Sequence, residues 1–129
     1  MNIRLIKDTL SGDYQRASWV HDGNDVVLDF PFEIHAIYSA RLNRIVVEMF
    51  GRKKIGFYSA SDELDVEVAI PDIEDYQFRG INKNNKSVSG VSLLFLPLVP
   101  RRSNEWGDIE QYELKIENES LGRYLDIYR

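Results

Sequence analysis

RIVVEMFGRKKIGFYSASDELDVEVAI, running from Arg44 to Ile70, decides the fold. Ile45, Val47 and Met49 alternate with Val46, Glu48 and Phe50, the period of two that describes a β-strand. Gly51-Arg52-Lys53 breaks the pattern, after which Ile55, Phe57 and Ser59 share one face and Gly56 and Tyr58 the other. A polar turn, Ser61-Asp62-Glu63, leads into Val66, Val68 and Ile70, and Pro71 stops the alternation. Ile45–Phe50, Ile55–Ala60 and Val66–Ile70 are therefore expected as adjacent antiparallel strands.

The flanking sequence extends the sheet on both sides. Asn2 to Lys7 predicts a short first strand. Ala17 to His21 and Asp25 to Phe30 flank Asp22-Gly23-Asn24, the strongest hairpin signal in the chain. Phe32 to Leu42 reads as irregular or a short strand. Tyr76, Phe78 and Gly80 alternate again. Asn82 to Ser87 is a polar turn, and Val88 to Leu96 has the near-continuous apolar character of a strand covered on both faces. Tyr112, Leu114 and Ile116 alternate with Gln111, Glu113 and Lys115, and Leu121, Leu125 and Ile127 mark a terminal strand. No stretch predicts a helix of ten residues or more. The expectation is an all-β fold: one domain over residues 1–129, an antiparallel meander of about eight to ten strands forming a sandwich or a partly open barrel. Val47, Phe57, Val68, Leu94, Leu114 and Leu125 are its expected core.

Composition narrows the chemistry. The chain has 129 residues, 43% of them hydrophobic and 12% aromatic, which suits one globular core rich in sheet. Its net charge is -5, from 21 acidic and 16 basic side chains, which disfavours a general grip on nucleic-acid phosphates. The absence of cysteine removes disulfides, thiolate zinc sites and cysteine nucleophiles. The N-terminus, MNIRLIKDTL, has no signal-like apolar core, and Val91 to Val99 is far shorter than the ~20 residues of a membrane helix, so no membrane partner and a cytoplasmic location are expected.

Motifs for catalysis are missing: there is no glycine-rich phosphate loop, no paired-histidine metal motif and no serine elbow. The two histidines, His21 and His35, are read as an exposed turn residue and a structural residue. No metal, no cofactor and no catalytic residue is expected.

Charge patterning carries more. Asp62, Glu63, Asp65, Glu67, Asp72, Glu74 and Asp75 fall between Ser61 and Phe78 with no Lys or Arg among them. A second run holds Glu105, Asp108, Glu110, Glu113, Glu117 and Glu119, relieved by Lys115. Acid of this density protects an edge strand from aggregation, or it steers a basic partner into contact. The calcium-loop spacing D-x-D-x-D-G is absent. Arg101-Arg102-Ser103-Asn104-Glu105-Trp106 combines an aromatic with two guanidinium groups, the residue types most often decisive at interfaces; Arg101, Arg102 and Trp106 are candidate partner contacts, and a lid over the core is the other reading of Trp106.

Phe30-Pro31-Phe32-Glu33-Ile34 followed by RIVVEMF, a turn and IGFYSA resembles a pattern in small bacterial proteins that are similar to the immunity partners of polymorphic or contact-dependent toxins. The resemblance covers about the middle third of the chain and brings no functional residue with it. It implies a non-enzymatic protein that neutralises a basic toxin, such as a nuclease, by direct binding through acidic surface. Two other classes stand beside it. One is a homo-oligomeric accessory β-protein joined through Val88–Val99 or an unpaired edge; the other is a small enzyme with a site assembled from scattered residues.

Overall fold

A computed structural model describes residues 1–99, 108–115 and 120–128. They form eleven β-strands and no helix: β1 (Arg4–Lys7), β2 (Tyr14–His21), β3 (Asn24–Asp29), β4 (Ile34–Ser39), β5 (Arg44–Met49), β6 (Lys54–Tyr58), β7 (Leu64–Ala69), β8 (Tyr76–Lys83), β9 (Val91–Pro97), β10 (Glu110–Lys115) and β11 (Ser120–Ile127). The fold is all-β and antiparallel, with one strand more than the upper end of the expected eight to ten. Three open sheets result, ordered β1-β2-β3, β4-β5-β6-β7 and β11-β10-β9-β8, and none closes into a barrel. Every pairing joins sequence neighbours, as short turns dictate. The ambiguous Phe32–Leu42 stretch is β4, held by pairing with β5 from Ile34 opposite Met49 to Ser39 opposite Arg44.

The chain divides into two compact units, Met1–Ala69 and Ile70–Arg129. In the first, Asp22 and Gly23 both take positive φ, at 51° and 78°, and make the two-residue turn between β2 and β3. That geometry matches the right-handed strand twist, which is why Asp-Gly fixes the hairpin register. The inward row of β2, Ala17 and Trp19, packs against Ile34, Ala36, Ile45, Val47, Met49 and Tyr58 of the second sheet. Two sheets thus share one core, with Leu5, Val26 and Leu28 at its margin. Trp19 is fully buried, and its indole Nε1 donates to the Ala60 carbonyl at 2.8 Å, so the ring's polar atom is satisfied inside the core. Val46, Ile55, Phe57 and Val68, on the opposite face of β5–β7, are buried as well. The alternating β5 is therefore covered on both faces, with Glu48 buried beside Val46.

In the second unit β9 is interior, paired with β8 on one side and β10 on the other. It therefore offers no edge for self-association, and exposure within Val88–Val99 is confined to Val88, Leu98 and Val99 among the large apolar side chains. Val88 lies outside the strand, in the turn before β9, while Pro97 lies within it. One face of the sheet carries an aromatic ladder: Phe95 meets Phe78 at 5.6 Å and Tyr112 at 6.2 Å, and Tyr112 meets Tyr124 at 5.7 Å, all edge to face. All six expected core residues are buried, from Val47 at 0% exposure to Leu94 and Leu125 at 7%.

Candidate functional site

The acidic stretch is split by the fold. Asp62, Glu63, Asp65 and Glu67 belong to the first unit, and Asp72, Glu74 and Asp75 to the second. In each unit they lie on or next to an edge strand, β7 in one sheet and β8 in the other. All seven are exposed.

The β6–β7 turn is built by Ser59. Its amide donates to the Glu63 carbonyl at 2.8 Å, its carbonyl accepts the Asp62 amide at 3.1 Å, and its hydroxyl accepts the Glu63 amide at 3.2 Å. Ser61 adds a hydroxyl contact to Ser59 at 3.0 Å. Asp62 sits in the left-handed region with φ of 73°, a conformation that aspartate tolerates better than most residues. Partial burial raises the Asp62 carboxyl above its ordinary value. Burial also raises the Tyr58 phenol, and the charges of Glu67 and Asp62 push it further the same way.

Two acids of β7 are not isolated charges. Arg44 Nε lies 3.2 Å from Asp65 Oδ2, and Lys54 Nζ lies 3.2 Å from Glu67 Oε1. The sequence window holds no cation, but the sheet brings in one from β5 and one from β6. Mutual repulsion along the arm is correspondingly smaller than the sequence implies. Among the described residues Asp62 and Glu63 form no ion pair, so the exposed charge of this unit's arm is concentrated at the turn.

Of the second acidic run, the three described residues do not form a solvated face. Glu110 and Glu113 are buried, at 2% and 7% exposure, and Asp108 is half-buried. Tyr112 donates its hydroxyl to Glu110 at 2.6 Å. Glu113 closes the β8–β9 turn. Its carboxylate accepts from the Val88 amide at 2.6 Å, from the Ser89 amide at 3.4 Å and from the Ser87 hydroxyl. Gln111 stands beside it and accepts from Ser92 at 2.7 Å and from Asn84 at 3.0 Å. The polar turn thus conceals fully buried serines, while Val88 at its tip is 76% exposed. Sequence reading missed this cluster. The available signal was Glu113 and Gln111 recurring on one face of β10, opposite the row of Tyr112 and Leu114. Glu105, Glu117 and Glu119, like Arg101, Arg102 and Trp106, lie outside the described residues.

His21 Nε2 lies 3.3 Å from Asp22 Oδ2 at the surface, and burial lowers the His35 imidazole below its ordinary value. A cleft of about 340 Å³ opens beside β1 and the Asp8 turn. Three of its charges are matched within the chain: the amides of Ser11 and Leu10 hold the Asp8 carboxyl below its usual range, and Arg16 engages Asp29, while Lys7 lies over the Tyr14 ring at 5.3 Å. Among the described residues no three His, Asp or Glu side chains converge as a metal set, and no helix is long and apolar enough to cross a membrane.

Comparison with protein-family models, curated proteins and solved structures finds no match for this chain.

Proposed function

We propose that the chain is a cytoplasmic, non-catalytic binding protein of the immunity type, whose acidic β6–β7 turn and β7 edge meet a basic protein partner such as a toxin nuclease. The observation that carries the reading is the turn itself. Asp62 and Glu63 project from a loop held by three hydrogen bonds to Ser59, exposed and without an ion-pair partner among the described residues. A backbone fixed in place leaves only side-chain freedom to be lost on meeting a cation, and a negative field accelerates the approach of a basic surface. Asp65 and Glu67 extend the surface, at the cost of sharing Arg44 and Lys54.

The test starts with a pull-down from the native cell, using the wild-type chain and a variant carrying Asp62→Asn and Glu63→Lys as baits. Asparagine keeps the left-handed backbone at position 62 accessible. With the captured partner in hand, stopped-flow association should slow at least about tenfold between low ionic strength and physiological salt, where screening shortens to about 8 Å. The variant should associate about as slowly at low salt as the wild type does at high salt. An association rate indifferent to both salt and the substitutions would refute the reading.

A further inference from the structure

The outer face of the three-stranded sheet serves no role in the core or in the acidic turn. Register places Ile6, Arg16 and Asp29 in one cross-strand row, Arg4, Ser18 and Val27 in the next, and Val20 opposite Asp25 beyond it. The alternate residues Leu5, Ala17, Trp19, Val26 and Leu28 face the core, so these rows face away from it. Large apolar side chains on this side are well exposed: Val20 at 58%, Val27 at 45% and Ile6 at 37%.

The charges on the face are ordered. Its guanidiniums, Arg4 and Arg16, stand on β1 and β2, and its carboxylates, Asp25 and Asp29, stand on β3. Arg16 engages Asp29, while Arg4 donates to the buried Ser18 hydroxyl at 3.2 Å and reaches Asp25 only at 3.9 Å, with the Arg4 and Asp25 side chains more than half exposed. An exposed pair at that distance contributes little. Two cations against two anions also make this face neutral in a chain of net charge -5. A strongly basic partner gains nothing here over the acidic surfaces elsewhere. A partner that is basic where this face is acidic, and acidic where it is basic, is another copy of the same face.

We infer that two copies of this chain associate through the outer faces of their β1-β2-β3 sheets about a twofold axis running along β2. Such an axis lays β1 of one copy over β3 of the other. Arg4 then faces Val27 of the second copy and lies between its Asp25 and Asp29, since alternate residues of β3 flank Val27 on the same face. Ser18 and Val20 meet their own equivalents near the axis, and so does Arg16, each copy of which is neutralised by its own Asp29. The patch is small. Three strands about 4.8 Å apart and about 20 Å long present roughly 300 Å² in projection, against roughly 800 Å² per partner in a standard interface. The dimer is accordingly a weak one, with dissociation in the micromolar to millimolar range.

Sedimentation velocity of the full chain from about 0.01 to 1 mM should show a concentration-dependent rise from monomer toward dimer. Joint substitution Val20→Glu and Val27→Glu should weaken dimerisation at least about tenfold, with the far-ultraviolet circular dichroism and melting temperature retained. A charge exchange gives an independent reading. Arg4→Asp alone and Asp25→Arg alone should each weaken self-association, whereas an equimolar mixture of the two variants should restore it, because each copy then offers the sign that the other lacks. A wild-type chain monomeric throughout the range, a dimer indifferent to the valine substitutions, or a mixture that stays monomeric would each overturn the inference.

Discussion

The Val88 amide donates to Glu113 Oε1 at 2.6 Å, tying an exposed turn residue to a buried carboxylate on β10. Residues 25 apart in sequence are joined by this bond, and the Ser87 hydroxyl shares the same carboxylate. The turn between β8 and β9 is thus shaped from beneath by a charge that the sequence assigns to a solvated cluster.

Removing that charge should be expensive. Glu113→Ala takes the acceptor from the Val88 amide and the charged partner from the Ser87 hydroxyl and the Ser89 amide, which fall back on the Val91 carbonyl and the Ser87 hydroxyl; a hydrogen bond to a charged group is worth about 1.5–3 kcal/mol. We expect a loss of at least about 2 kcal/mol in urea unfolding, and faster amide exchange at Val88 and Ser89 than elsewhere in the sheet. Equal stability would show that water replaces the carboxylate without penalty.

Gly122 tests the same site from the neighbouring strand. A Cβ built there would lie 2.8 Å from Glu113 Cβ and 2.9 Å from its carbonyl oxygen, and backbone cannot swing aside. Gly122→Ala is expected to cost about 1–3 kcal/mol through overpacking, read from the shift in thermal midpoint. Gly56→Ala meets side chains alone, the Met49 methyl at 2.9 Å, which can turn aside, and the buried Tyr58 ring at 2.8 Å, which cannot without repacking, so a comparable cost is expected.

Leu94 is 7% exposed on the interior strand β9, opposite Gln111 and Gly80. Leu94→Ala should cost about 2–5 kcal/mol, the transfer term plus a cavity that paired neighbours cannot close. A change within the error of urea unfolding would place that side chain outside the core.

His35 sets an expectation for pH. Burial lowers its folded-state value below the 6.5 of the unfolded chain, so the unfolded state takes up protons first. Its contribution to stability is full above about pH 6.5 and is lost as pH falls through the lowered folded-state value. Urea midpoints at pH 7.5 and 5.5 should therefore differ more for the wild type than for His35→Gln. An identical pH dependence in the two proteins would mean that His35 titrates as it does in the unfolded chain.

Strand identity and the Asp22-Gly23 hairpin were legible from the sequence alone, because both are local. A period of two persists whatever the strand packs against, and a two-residue turn fixes its own register. The six core positions were legible for the same reason. Phe32–Leu42 stayed ambiguous because its apolar spacing fits more than one structure, and only pairing with β5 makes it β4. The fate of the charges was decided entirely by tertiary structure. Asp65 and Glu67 look unpaired in a window without cations, yet sheet pairing brings Arg44 to 3.2 Å of one and Lys54 to 3.2 Å of the other. Glu110 and Glu113 look solvated beside their acidic neighbours, yet hydrogen bonds from Tyr112, Ser87 and Val88 make burial tolerable. Backbone pattern is written in neighbouring residues; the surroundings of a charge depend on groups that the chain brings together only after it folds.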